Sequence, residues 1–261
     1  MADDFLGEWR AWRAAREERL TAPHGFLSIT GMYWLDEQPQ RFDGVPGAWS
    51  VGADGVEVEL GDGEELAVDG VALTGRYRFG TVDEAGVRAT YGDVVVEVAA
   101  RGGDVVLRPR DPASPRRAEH TPTPTFEPSP AWVVPGVLTP APPDATVDIQ
   151  TMSDGAAQPE PLAGTVTFEV GGREHALVAL ADDDGWLWIL FADVTSGVTT
   201  YGAGRQLSVR PPGPDGAVVL DFNRAANLPC AYTAFTTCPF PPPGNRLPFA
   251  VEAGEQDPAH R

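Results

Sequence analysis

The stretch VRATYGDVVVEVAARGGDVVLR, residues 87–108, decides the fold class of this chain. It holds three short runs in which β-branched residues recur: 87–91, 94–98 and 105–108. The pair Gly102-Gly103 separates the last two runs, and similar runs occur upstream at 56–60 and 77–79. Such runs, often alternating and joined by glycine turns, are typical of antiparallel hairpins. We therefore predict an all-β fold with an antiparallel sandwich or barrel-like core.

Strand patterns resume in the C-terminal half of the chain. The predicted strands are 147–151, 164–170, 175–181, 186–191 and 206–209. Gly171-Gly172 suits a hairpin turn, and residues 182–185 suit another. With 261 residues and no internal repeat, the pattern favours a single β-rich domain over 23–261.

The first 22 residues form a different element. Phe5, Trp9 and Trp12 recur at helical spacing, which places them on one face of an amphipathic helix from about residue 3 to residue 20. Large aromatic side chains on one face are typical of packing. We predict a helix within 1–22 that braces the sheet.

Residues 110–143 are rich in proline, threonine and serine. Proline fixes φ and removes a backbone donor, so we expect neither a central strand nor a helix in this segment. The segment either links two domains or wraps around one. Phe126 and Trp132 supply apolar anchors that flexible linkers lack, and this favours a wrapping connection.

The charge pattern excludes several classes of function. All 19 basic residues are arginine, so no lysine can form a Schiff base or serve a P-loop. The net charge of −19 disfavours nucleic acid and anionic membranes as partners. The charged first residues lack the apolar core of a signal peptide, and no apolar run approaches the roughly 20 residues that span a bilayer. We predict a cytoplasmic protein without a cofactor, and the oligomeric state stays open.

Residues 193–255 hold the densest set of polar motifs. Arg205, Arg224 and Arg246 lie there among glycine, proline and aromatic residues. A planar guanidinium group suits bidentate pairing with a carboxylate or a phosphate. We predict that these three arginines converge on one pocket for a small anionic molecule, which Tyr201 and Asn223 orient.

Acidic residues of the same region are candidate counter-charges. Asp193 and Asp221 would brace the guanidinium groups, with Glu252 and Glu255 as further supports, and His24 follows the N-terminal helix. In a competing interpretation, Asp221 forms a buried ion pair with Arg224 that only fixes a turn. The carboxylates follow no metal-binding loop pattern, so we predict no metal site.

Two further motifs have structural interpretations that outweigh the functional ones. Tyr201-Gly-Ala-Gly-Arg205 invites comparison with a phosphate-binding loop, but a strand pattern follows it instead of a helix. A tight turn that positions Arg205 is the better account. Cys230 and Cys238 match neither a redox nor a zinc spacing, which favours buried structural thiols, with a disulfide only under oxidising conditions.

The C-terminal region resembles the bacterial and archaeal domain-of-unknown-function family numbered 1684. The resemblance rests on FADVTSG (191–197), TYGAGR (200–205), LDFNRA (220–225), Asn227, PCAY (229–232), Cys238-Pro239, NRLP (245–248) and AGE (253–255). Looser agreement covers 24–35 and the N-terminal helix. The chain departs at Ala226, Leu228 and Gly244, where the family implies an aromatic residue, a proline and a glutamate. The resemblance implies no particular activity.

Three functions remain open at this point. The first is a protein that binds a small anion in the Arg-lined pocket, with or without an enzymatic reaction. The second is a structural or interaction β module, in which the polar residues only hold the sheet together. The third is a metal-assisted hydrolase that uses Asp221, Asn223, Glu252 and Glu255 as oxygen ligands, together with His24.

Overall fold

The computed structural model of the chain describes residues 2–152 and 157–258. These residues divide into two compact units. The middle unit is Glu18–Thr121, and the terminal unit joins Met1–Glu17 to Pro122–Arg261. The boundary between Thr121 and Pro122 falls within the proline-rich segment 110–143. It also lies inside residues 23–261, which the sequence pattern predicts to be one domain.

The N-terminal helix is confirmed. Helix α1 spans Ala2–Leu20, and a single helical turn, α2, spans Pro115–Ala118. Phe5, Trp9 and Trp12 are each half-buried, as expected for residues on a packed face. No helix within residues 2–152 and 157–258 has the length and apolar character needed to cross a bilayer.

The middle unit is built from two antiparallel sheets. Its strands are β1 Tyr33–Trp34, β2 Gln40–Arg41, β3 Ala48–Gly52, β4 Gly55–Glu59, β5 Ala67–Val68, β6 Val71–Ala72, β7 Arg76–Gly80, β8 Val87–Tyr91, β9 Val94–Arg101 and β10 Asp104–Arg110. One sheet has the order β1-β10-β9-β8-β5-β6 and the other β2-β3-β4-β7. Trp49 and Val58 of one sheet share a core with Val96 and Leu107 of the other. This is the packing of a sandwich.

A buried carboxylate in the middle unit is matched by arginines on neighbouring strands. Glu97 of β9 lies 2.5 Å from both Arg108 and Arg110 of β10. Burial raises the pKa of Glu97, but the two guanidinium groups outweigh burial and hold this pKa below its usual value. The charge of Glu97 is therefore balanced within the sheet.

The terminal unit contains one long antiparallel sheet. Its strands are β11 Val133–Pro140, β12 Thr146–Gln150, β13 Ala157–Val170, β14 Arg173–Ala181, β15 Leu187–Phe191, β16 Arg205–Val209, β17 Ala217–Asp221 and β18 Ala226–Asn227. The order is β17-β11-β13-β14-β15-β16-β18, with β12 paired to β13. Phe168, Ile189, Phe191 and Phe222 lie in its buried core. The predicted all-β, antiparallel class is therefore confirmed for the described residues.

The expectation that the proline-rich segment contains no central strand or helix is wrong. Strand β11 pairs with β13 on one side and β17 on the other, and α2 lies in the same segment. The Leu138 N–H donates to Gly216 O, so by strand alternation the nitrogen of Pro135 faces β13. The ladder between β11 and β13 begins only at Gly136. Pro135 therefore replaces no donor of either ladder.

The alternation of β11 can be tested with a matched pair of substitutions. Val134 points into the core at 5% exposure, whereas Val137 is 49% exposed on the same strand. We expect Val134→Thr to lower the free energy of unfolding by about 1–3 kcal/mol, because it places a hydroxyl group in the apolar core. Val137→Thr should change it by less than about 0.5 kcal/mol. Urea unfolding measures both, and equal effects would contradict a strand in this register.

Candidate functional site

Arg205, the first predicted anchor, lies in the core of the terminal unit with no exposed surface. Its guanidinium group pairs with Asp193 at 2.8 Å. It also donates to the carbonyls of Val251, Ala253 and Glu255. Burial lowers the pKa of Arg205, and the charge of Asp193 offsets this only in part. Arg205 therefore joins β16 to the C-terminal segment and is not available to a ligand from solvent.

The turn before Arg205 explains the glycine-rich motif. The Gly204 N–H donates to the Tyr201 carbonyl at 3.1 Å, and β16 follows directly. Gly204 has a φ of +93° and lies against the Phe191 carbonyl. A side chain has no room there, so the glycine positions Arg205 beside β15.

Glu255 is the centre of a second buried charge cluster in the same unit. Its carboxylate has no exposed surface and lies 3.1 Å from both Arg13 and Arg16 of α1. It also accepts hydrogen bonds from the Asn227 N–H at 2.7 Å and the Tyr232 hydroxyl at 3.0 Å. Burial raises the pKa of Tyr232, and the Glu255 charge adds to the increase. The cluster attaches the helix to the C-terminal segment.

Asn223 also has a structural position. Its side-chain amide donates to Ser129 O and Asp221 Oδ1, each at 2.9 Å, and its Oδ1 accepts from Ser129 N–H. Its own carbonyl accepts the Trp9 indole N–H at 3.1 Å. All these bonds are made inside the protein, so Asn223 is not free to orient a ligand.

Tyr201 lies close to the two cysteines. Its hydroxyl donates to the Cys230 carbonyl at 3.1 Å, and burial raises its pKa. Cys230 and Cys238 are free thiols, and the Cys230 N–H approaches the Cys238 sulfur at 3.2 Å. A hydrogen bond with Cys238 and burial together raise the pKa of Cys230. Neither thiol has the environment of an activated nucleophile.

The remaining predicted residues are dispersed. Arg246 and Glu252 are exposed, and the backbone of Arg246 forms an isolated parallel β-bridge with Ala192. His24 is exposed in the middle unit, where its ring lies 2.9 Å from the Asp93 carbonyl. The predicted convergence of Arg205, Arg224 and Arg246 is therefore wrong, because one is in the core and one is on a separate surface. Of the three arginines, Arg224 lines the cavity described next.

That cavity is a groove of about 500 Å³ in the terminal unit. Ser208 of β16 and Ala217 to Val219 of β17 line it. Strand β17 is at one end of the sheet order, and β16 is next to β18, which is at the other end. Strand β18 pairs only with residues 205 and 206 of β16, which leaves the rest of that edge without a paired strand among the described residues. The groove is therefore a product of incomplete pairing. Its remaining lining residues are Phe5, Glu8, Val133, Trp186, Arg210, Pro211, Asp221 and Arg224.

Charges of both signs lie in the groove. Arg224 Nε lies 3.0 Å from Asp221, in ion-pair contact but without hydrogen-bond geometry, and its Nη2 lies 3.7 Å from Glu8. Arg210 is exposed and lies over the Trp186 ring, 5.9 Å from the centroid. In the part of the chain that the structure describes, no carboxylate lies within ion-pair distance of Arg210.

Sequence reasoning missed Arg210 and Trp186. The signal was present in the strand register, since Leu187 pairs with Val209 in the β15–β16 ladder. Extending an antiparallel register by one residue places Trp186 opposite Arg210. Arg210 lies within residues 193–255 but is followed by two prolines and belongs to none of the polar motifs of that region.

The described residues contain no group of three or more His, Cys, Asp or Glu side chains placed to hold a metal ion. Asp221 and Asn223 are neighbours, but Glu252 and Glu255 do not join them in such a group. The oxygen ligands of the hydrolase hypothesis are thus not assembled in residues 2–152 and 157–258.

Comparisons with known proteins found a matching family and a similar solved structure. A family model described as "Protein of unknown function (DUF1684)" matches residues 118–256. A solution NMR structure of an uncharacterized protein from Haloarcula marismortui is 30% identical over a match that covers 56% of this chain and 81% of that chain, with a TM-score of 0.46. No curated protein matches the chain.

The two glutamates of the motif region allow a direct test of the buried cluster. We expect Glu255→Gln to lower the free energy of unfolding by about 3–5 kcal/mol, because it leaves the buried Arg16 without its carboxylate partner, whereas Arg13 keeps Glu17 at 2.6 Å. The exposed Glu252→Gln is the matched control and should change it by less than about 0.5 kcal/mol. Denaturant unfolding of both variants decides the matter. A Glu255→Gln protein as stable as the wild type would refute the structural role.

The turn before Arg205 can be tested with its own two glycines. A Cβ at Gly204 would lie 2.6 Å from the Phe191 carbonyl, whereas at Gly202 the nearest atom is 3.7 Å away. We expect Gly204→Ala to destabilise the protein by about 1–3 kcal/mol through the clash and the left-handed backbone. Gly202→Ala should be nearly neutral. Thermal melts compare the two, and similar losses at both positions would argue against this turn.

Proposed function

We propose that this chain, which belongs to the DUF1684 family of proteins of unknown function, binds a small anionic molecule in the groove of its terminal unit. Arg210 is the anion anchor, and Arg224 is a second cation at the same groove. The proposal keeps the ligand class expected from the sequence, a carboxylate or a phosphate. It replaces Arg205 and Arg246, which do not line this groove, with Arg210.

One observation carries the proposal, and it is the unpaired charge of Arg210. Four arginines of the terminal unit have a carboxylate partner, namely Arg13, Arg16, Arg205 and Arg224. Arg210 has only the Trp186 ring beside it, at the wall of a concave site. A guanidinium group stacked on an aromatic ring keeps its edge N–H donors free and loses little entropy when it pairs with an anion.

Arg224 is suited to a supporting role. Its side chain is 33% exposed, and its contacts with Asp221 and Glu8 fix its position without enclosing it. A ligand anion that reached Arg224 would compete with these carboxylates, so most of the attraction comes from Arg210. Concave sites that combine apolar walls with a few fixed polar groups are typical of small-molecule binding.

A structural or interaction module is the second candidate. It is supported by the buried partners of Arg205, Asn223 and Glu255, which account for much of the motif-dense region without any ligand. The exposed Val137 and Val219 lie on the neighbouring strands β11 and β17 and offer an apolar surface beside the groove. In this alternative, Arg210 is only a solvated surface charge.

A cytoplasmic location without nucleic-acid or membrane partners remains part of the proposal. The net charge of −19 supports it, because counterion release from nucleic acid requires clustered cations. Whether the groove also performs a reaction is left outside the proposal.

The proposal is tested by thermal unfolding with benzoate and with inorganic phosphate at constant ionic strength. Any ligand that prefers the folded state raises the midpoint, by about 5–10 °C at a hundredfold excess over its Kd. We expect at least one of the two anions to stabilise the wild type and to lose this effect in Arg210→Gln.

Arg246→Gln is the matched control for this experiment. Arg246 is also an exposed arginine with no carboxylate at ion-pair distance among the described residues, but it does not line the groove. Stabilisation that survives in Arg210→Gln, or that is lost equally in Arg246→Gln, would show nonspecific anion binding and would favour the interaction module.

A further inference from the structure

We infer that the ligand of the groove is a monocarboxylate with an apolar body, and not a phosphate. This inference rests on the proposed function and narrows its ligand class. Three features of the groove lead to it: the sum of its charges, the composition of its walls and the field of the surrounding protein.

The charges of the groove leave room for one negative charge. Its ionised lining residues are Glu8, Arg210, Asp221 and Arg224, two of each sign. Arg224 is committed to Asp221 and Glu8, at 3.0 and 3.7 Å. Arg210 is then the single cation without a partner among these four. A monoanion matches it, whereas a second negative charge on the ligand would have no cation of its own.

The carboxylates also discriminate against a phosphate. Phosphate carries between one and two charges near neutral pH and three strong acceptor oxygens. In this groove some of those oxygens would face Glu8 or Asp221, with unfavourable Coulomb energy at short range. The net charge of −19 adds to the repulsion. Phosphate sites normally offer several cations, whereas Arg210 is the one cation of this groove without a carboxylate partner among the described residues.

The walls of the groove select an apolar ligand body. Phe5 and Trp186 are half-buried, and Val219 is 56% exposed at the groove although it is on a strand. Apolar surface left in contact with water favours a partner that covers it. Trp186 lies against Arg210, and Phe5 and Val219 line the same groove. An amphiphilic molecule can therefore place its carboxylate on the guanidinium group and its hydrocarbon against the wall. The volume of about 500 Å³ is in the usual range for such ligands.

A homologous series of ligands tests the inference by calorimetric titration of the whole chain. Butyrate, hexanoate and octanoate share one charge and differ only in apolar length. We expect the association constant to rise about threefold for each added methylene group that enters the groove. Inorganic phosphate at the same ionic strength should bind at least tenfold more weakly than octanoate. Hexanamide, which lacks the charge, should also bind at least tenfold more weakly than hexanoate.

Two variants examine the apolar wall independently of Arg210. Val219→Asp places a negative charge in the wall at an exposed position, and we expect octanoate affinity to fall at least tenfold. Val137→Asp is the matched control, because Val137 is 49% exposed on the adjacent strand β11 and does not line the groove. Circular dichroism melts confirm that both variants fold before titration. A Val219→Asp variant that folds and binds octanoate as the wild type does would overturn the inference.

The outcomes separate this inference from the proposed function. Phosphate binding that depends on Arg210, with no gain along the carboxylate series, would overturn the inference and leave the anion site intact. Hexanamide binding as tightly as hexanoate would instead overturn the anion site. No binding of any ligand would overturn both.

Discussion

The buried carboxylate of Glu255 is the interaction on which the rest of the terminal unit depends. This carboxylate has no exposed surface, and it contacts Arg13 and Arg16 of α1 and the backbone N–H of Asn227. The desolvation of such a group is costly unless nearly every lone pair has a partner, and here the partners come from segments far apart in the chain. A helix at the start of the sequence, a short strand and the C-terminal segment are thereby held together.

The same segment is then tied to the sheet through Arg205. The Arg205 guanidinium reaches the carbonyls of residues 251, 253 and 255 while it pairs with Asp193. The C-terminal segment has little regular structure, so its carbonyls lack ladder partners, and a buried arginine with five donors can satisfy several of them at once. Arg205, whose motif suggested ligand binding in the sequence, thus serves mainly to satisfy backbone carbonyl groups in a region without secondary structure.

This arrangement has a consequence for the surface. Arg210 combines two properties: it has no carboxylate partner among the described residues, and it lies beside a concave, partly apolar wall. Arg210 occupies this position because β16 runs on past its pairing with β18 and ends at Val209, so that Arg210 follows the strand and lies over Trp186, the residue before β15. Incomplete pairing of β16 creates the groove, and Arg210, which follows the end of β16, supplies its unpaired positive charge.

Much of the fold could be predicted because strand signals are local. Strand β8 occupies residues 87–91, as its alternating pattern indicates, and the helix at 2–20 follows from three aromatic residues at helical spacing. Strand β11 could not be predicted, since its prolines oppose strand formation locally. Pro135 is tolerated because its nitrogen faces β13 before that ladder begins, and Pro140 is the last residue of the strand.

Less of the candidate site than of the fold could be predicted from local sequence patterns. The sequence by itself determined that arginine is the only permanent cation of this chain, that its sheets are antiparallel and that polar motifs crowd residues 193–255. Only the tertiary structure decided which guanidinium groups are inside and which face solvent. Some of the deciding ion pairs join residues 200 or more positions apart, as between Arg16 and Glu255, and no local pattern encodes those contacts.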